Sequence, residues 1–190
     1  MSKEGGDPKK VMEEITKIIK GDVSLEVIST EYSGMIEEGK RLRQYGKNVV
    51  VKVPMTPDGL KACKHLTSEG IPVNVTLIFS PNQALLAAKS GAKYVSPFIG
   101  RLDDIGQDGM KLIEDIKKIF LNYKFTTMIL VASIRHPIHV IDAAKIGADV
   151  VTLPPAVLDK MLQHPLTDIG LENFLSDWKK LKAENSDIKI

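Results

Sequence analysis

A glycine just past a helical stretch, two more residues, then a strand-like run: this device recurs at Gly46-Lys47-Asn48-Val49, Gly70-Ile71-Pro72-Val73, Gly91-Ala92-Lys93-Tyr94 and Gly147-Ala148-Asp149-Val150. Glycine takes the left-handed conformation that ends a helix without a Cβ clash, and so short a link can only return the chain directly to a sheet. Repeated along the chain, the device predicts an array of βα units. Helical crossovers between successive strands force those strands to run parallel.

The remaining punctuation agrees. Val11, Met12, Ile15, Ile18 and Ile19 fall at helical spacing behind Asp7 and Pro8, which predicts a helix over residues 8–20. Thr56-Pro57 and Ser80-Pro81 are cap-proline starts for helices over 57–69 and 81–90. Further helices are predicted at 33–45, 109–123, 137–146, 155–163 and 168–181, and strands at 23–28, 49–53, 73–78, 93–96, 127–132 and 149–153. The stretch with Gly100 and Gly106 reads as a loop, and residues 182–190 as a mobile tail. A chain of 190 residues suits one domain, 1–190, with a single core.

Two α/β architectures accept such an array, the open doubly wound sheet and the (β/α)8 TIM barrel. No Gly-x-Gly-x-x-Gly follows any strand, which weakens the first. The barrel is favoured by Glu26, Lys52, Thr76, Ser96 and Ser133, which stand at or near the carboxyl ends of apolar strands, with Asn74 on the same face as Thr76. In a barrel those ends converge on one mouth, where active sites are built.

Lys52 is the anomaly. It interrupts Val49-Val50-Val51-Lys52-Val53-Pro54, a run suited to a strand covered on both faces. Such a lysine either snorkels to the rim on its long stem, or is partly desolvated so that a neutral amine becomes a nucleophile. Residue type leaves both readings open.

Composition narrows the partners. With 26 Lys+Arg against 24 Asp+Glu the net charge is +2 and the signs are interspersed, so nothing marks a nucleic-acid or membrane-surface partner. The one cysteine, Cys63, cannot form an internal disulfide and is expected to serve packing in a reducing compartment. With no signal-peptide pattern at Met1-Ser2-Lys3-Glu4, a cytoplasmic protein is expected. His65, His136, His139 and His164 offer no metal-ligand set, and we expect them to be structural or surface residues.

Four segments carry a resemblance to a known family: Val50 to Leu60 (VVKVPMTPDGL), Asn74 to Ser80 (NVTLIFS), Val95 to Asp104 (VSPFIGRLDD) and Ala132 to Arg135 (ASIR). They resemble the transaldolase family, most of all its short bacterial and archaeal type, close kin to fructose-6-phosphate aldolase. The resemblance implies a class I enzyme of the pentose phosphate pathway, with no cofactor and no metal. In it Lys52 forms a Schiff base with a ketose phosphate and passes a dihydroxyacetone unit to an aldose phosphate. It implies that Glu26 and Thr76 hold a proton-relaying water, and that Asn74 and Ser96 bind substrate hydroxyls. Arg101, Ser133 and Arg135 would bind the phosphate, a role that suits guanidinium forks. Phe98 and Glu26 point to transfer, since the aldolases resemble this chain but carry tyrosine and glutamine there.

The chain departs from the family at its start. By resemblance two further strands come first, one bearing an acid/base aspartate, so only about six of eight βα units are expected here. A start assigned to an internal methionine, a fragment, or an inactive relative would each account for this. The resemblance also implies a homo-oligomer, with the last helix reaching a neighbouring subunit; periodicity alone equally allows that helix to fold back on its own barrel.

Overall fold

Alternation of helix and strand is what the structure, a computed structural model, displays over the residues it describes, 7–185. Contacts divide the chain into two units, Met1–Leu153 and Pro154–Ile190. The first contains α1 (Pro8–Ile18), β1 (Val23–Glu26), α2 (Tyr32–Arg43), β2 (Val49–Pro54), α3 (Pro57–Ser68), β3 (Val73–Ile78) and α4 (Pro81–Lys89). It continues with β4 (Tyr94–Pro97), α5 (Ile99–Asp103), α6 (Gly109–Asn122), β5 (Met128–Val131), α7 (Pro137–Ile146) and β6 (Val150–Val151). The second holds α8 (Pro155–Leu162) and α9 (Pro165–Glu184), with the His164 ring accepting the Leu166 N–H at the start of α9. That last helix is longer at both ends than the expected 168–181; of the expected tail, 182–184 are helical and 186–190 lie outside the described residues.

All six strands are parallel and lie in chain order. Neighbouring strands are ~4.8 Å apart, so a flat sheet would hold β1 and β4 roughly 14 Å apart. Yet the Tyr94 hydroxyl of β4 donates to Asp22, just before β1, at 2.8 Å, and the Asn74 amide of β3 donates to Ser24 of β1 at 3.2 Å. Side chains that reach across intervening strands this way require a strongly curled sheet. The fold is therefore a half-barrel, six units of the (β/α)8 architecture, and β1 and β6 each pair on one side among the described residues.

Val49, Val51 and Val53 of β2 are fully buried on its convex side, where helices cover the sheet. The concave side narrows at the amino ends of the strands around Tyr94, Asp22 and Lys93. Burial, and then the facing Asp22, push the Tyr94 hydroxyl up to about 12.

Cap signals act as the sequence predicts. The Asp7, Thr56 and Ser80 side chains accept the first free N–H groups of α1, α3 and α4, each followed by proline. Gly70, Gly91 and Gly147 take left-handed φ of 77°, 88° and 83°. Gly46 does not. There α2 ends through Gln44 in the right-handed region, and a Cβ on the glycine would sit 2.6 Å from Asn48 Oδ1 and 3.2 Å from Thr16 Cβ, so those side chains would have to shift. The expected loop after β4 instead opens with α5, whose Ile99 N–H is taken by the Ala132 carbonyl. Cys63 is buried, its thiol pushed up to about 12 by that burial, which makes it a packing residue.

Close approach of α3 to the end of β2 fixes the strand that carries Lys52 from behind. A Cβ on Gly59 would lie 1.9 Å from the Pro54 carbonyl oxygen. Gly59→Ala is expected to cost roughly 2–3 kcal/mol and to lower the thermal midpoint by roughly 4–12 °C. Thermal denaturation followed by circular dichroism measures it.

Candidate active site

Register brings the principal polar residues into line. Glu26 of β1 is paired in register with Lys52 of β2, and Lys52 with Asn74 of β3. Side chains alternate along a strand, so all three project from the concave face. Lys52 Nζ lies 3.1 Å from Glu26 Oε2, with the lysine side chain 23% exposed and the glutamate 51%. Ser96 on β4 donates to Asn74 Oδ1 at 2.8 Å, and the Asn74 amide donates in turn to Ser24. Both Asn74 and Ser96 are buried, so the chain of hydrogen bonds sets the amide's orientation.

These groups border a cavity of about 390 Å³ at the carboxyl ends of the strands, lined in part by Glu26, Lys52, Asn74, Ser96, Phe98 and Ser133. Ser24 and Thr152 add hydroxyls, and Met12, Leu130 and Ala132 add apolar wall. Ser24 was legible in principle, being two residues before Glu26 and hence on the same face.

Phe98 stands between Lys52 and Arg101. Its ring centroid lies 6.0 Å from Lys52 Nζ and 5.1 Å from Arg101 Cζ. Arg101 sits on α5, and Arg135 in the loop after β5 pairs with Asp104 at 2.7 Å. Both arginines are exposed, and neither lines the cavity. Gly100 lets the two segments meet, since a Cβ there would lie 2.2 Å from the Ser133 carbonyl and 2.6 Å from Arg135 Nε.

Three non-glycine residues among those described have left-handed backbones, Leu77 at φ 60°, Lys124 at φ 52° and Ser133 at φ 63°, and of these Ser133 lines the cavity. Such positions cost about 1–3 kcal/mol and gather at functional sites. Leu77 marks a register shift between β3 and β4, a bulge next to Thr76. Thr76 is fully buried, and its Oγ1 is the one buried side-chain oxygen or nitrogen among the described residues with no hydrogen-bond partner. It does not border the cavity directly.

The histidines lie apart from Lys52. His65 meets the Tyr32 hydroxyl at 2.8 Å and Glu69 at 3.0 Å, while His136 stacks on His139 with ring centroids 3.7 Å apart. Among the described residues no cluster of histidine, cysteine and carboxylate side chains is arranged to hold a metal ion.

Against this geometry, residues 9–188 match the family model described as Transaldolase/Fructose-6-phosphate aldolase. The chain belongs to that family. It is 83% identical to the "Probable transaldolase" of Nitrosopumilus maritimus over 100% of this chain and 86% of that one. It is 61% identical to the protein of that name from Aquifex aeolicus, over 95% of this chain and 83% of that one. The corresponding protein of Thermoplasma volcanium is 58% identical over 97% and 84%. Transaldolase-type transferase function is the broad reading that this membership supports.

Solved structures echo the fold alone. Inosine 5' monophosphate dehydrogenase from Legionella pneumophila superposes with a TM-score of 0.58 at 15% identity, over 80% of this chain and 49% of that one. A mandelate oxidase variant gives 0.55 at 14%, over 74% and 52%, so the chain spans about half the length of each. Among the described residues no helix of this transaldolase-family chain is long and apolar enough to cross a membrane.

Proposed function

We propose that this chain is a transaldolase working through an imine at Lys52, moving a dihydroxyacetone unit from sedoheptulose 7-phosphate or fructose 6-phosphate to an aldose phosphate. The observation that carries the reading is the row Glu26–Lys52–Asn74, which sets a primary amine, a carboxylate and an amide side by side over a cavity.

Lys52 Nζ sheds a proton, for which Glu26 stands at hydrogen-bond distance, and attacks the ketone carbon; loss of water then gives an iminium. The iminium draws in the electron pair of the bond between the α and β carbons, which becomes the enamine double bond. The α–β bond breaks, an aldose phosphate departs, and an enamine remains on the lysine. The proton of the cleaved carbon's hydroxyl passes to water; the family resemblance assigns it to an aspartate on a strand outside these six. The enamine then attacks the acceptor aldehyde, which takes up a proton, and hydrolysis frees the new ketose phosphate and Lys52.

Asn74 and Ser96 suit sugar hydroxyls, and the unpartnered Thr76 hydroxyl suits a water shared with Glu26. Arg101, Arg135 and Ser133 suit the phosphate. Phe98 and Glu26 favour transfer over simple aldol cleavage. A homo-oligomer and the cytoplasmic pentose phosphate pathway complete the reading, and light scattering on the purified chain tests the first of these.

Borohydride added with fructose 6-phosphate is expected to leave a three-carbon adduct on Lys52, read by peptide mass spectrometry. An unmodified lysine overturns the proposal. Free dihydroxyacetone released without an acceptor favours the fructose-6-phosphate aldolase alternative. Phosphosugar binding with no adduct favours a non-catalytic binding chain.

A further inference from the structure

Away from Lys52, a buried histidine ties together the two segments that bear the arginines. His139 on α7 has a side chain only 9% exposed. Its Nδ1 accepts the Arg135 backbone N–H at 3.3 Å, and its Nε2 lies 3.1 Å from Asp103 Oδ2 at the end of α5. The other Asp103 oxygen accepts the Gly109 N–H at 2.9 Å, fixing the carboxylate against the start of α6. Because Nδ1 must accept, the proton of the neutral ring sits on Nε2 and is donated to Asp103. The pair therefore holds the Arg135 backbone at a set distance from the helix that carries Arg101.

We infer that His139 and Asp103 are positioning residues which set the spacing of Arg101 and Arg135 and so tune affinity for the phosphate end of the substrate. The inference rests on the arginine roles proposed above. It also carries a sign. Protonated His139 has a donor at Nδ1 facing the Arg135 N–H, so the clamp is lost in acid. Burial, reinforced by His136, keeps the His139 ring below the ordinary histidine range, against the opposing pull of Asp103 and Asp142. The other charged group at hand, the Arg135 guanidinium, is itself paired with Asp104.

Asp103→Asn is the informative change. An asparagine keeps an acceptor for Gly109 but offers N–H to Nε2, which drives the ring proton to Nδ1 and against Arg135. Imine capture at Lys52 by cyanoborohydride, titrated with fructose 6-phosphate and separately with phosphate-free dihydroxyacetone, reads the effect. The half-saturating concentration is expected to rise about tenfold for the phosphate ester, the scale of one lost hydrogen bond, and to stay within about twofold for dihydroxyacetone. His139→Gln, which keeps a donor for Asp103 but lacks the Nδ1 acceptor, is expected to do the same and guards against a misfolded first variant. Sulfate, whose charge is constant in this range, is expected to weaken as a competitor of fructose 6-phosphate in the wild type as the pH falls below the ordinary histidine range, and to hold steady in His139→Gln.

An equal shift for both ketones, or none for either, overturns the inference while leaving the imine chemistry standing. Absence of any wild-type adduct with either ketone overturns the proposed function, and this inference with it.

Discussion

Lys52→Met is expected to abolish transfer while leaving the fold in place: turnover should fall on the order of 10⁶-fold, the scale seen when a covalent nucleophile is removed, and the borohydride adduct should disappear. The reason lies in where the side chain stands. Lys52 interrupts a strand whose Val49, Val51 and Val53 are fully buried, and its own stem is mostly covered. Methionine fills the same path without a charge, so the expected change in stability is within about 1 kcal/mol. Steady-state transfer assays beside thermal denaturation measure both. A variant that loses activity only in step with its stability would mean that Lys52 is a snorkelling wall residue.

Thr76→Val is expected to move stability and activity in opposite directions. The Thr76 hydroxyl is fully buried and lacks a partner, an arrangement that costs about 1–3 kcal/mol. Valine has the same shape and suits a strand at least as well, so the variant gains roughly 1 kcal/mol. If the hydroxyl holds the water that shuttles protons with Glu26, turnover falls by about 10²–10⁴-fold. Denaturant titration and transfer rates on the same preparation decide it. A stabilised variant of full activity would reduce Thr76 to a packing defect.

Much of this molecule is legible in its sequence because caps and patterning act locally. Asp7-Pro8, Thr56-Pro57 and Ser80-Pro81 begin helices as their chemistry requires, and Gly70, Gly91 and Gly147 end them. Gly46 misleads because a glycine in a crowded place looks the same in sequence as one in a left-handed turn. Helix α5 is hidden for a related reason: its start is fixed by the Ala132 carbonyl on a distant strand, and no local signal announces it. The lysine draws attention by its apolar surroundings, and period two puts Glu26 and Asn74 on inward faces of their own strands. Their sideways alignment belongs to the sheet ladder, which sequence separation conceals. The left-handed Leu77 and Ser133 are equally unreadable, since neither residue type favours that conformation.

Along β1, β2 and β3, amine, carboxylate and amide are spaced by main-chain rungs rather than by a flexible loop. Slippage by a single residue would replace the amine with a valine turned the same way, so partial loosening offers no half-working arrangement. Damage to these strands should thus extinguish turnover in an all-or-none manner, with the surviving molecules each running at full speed.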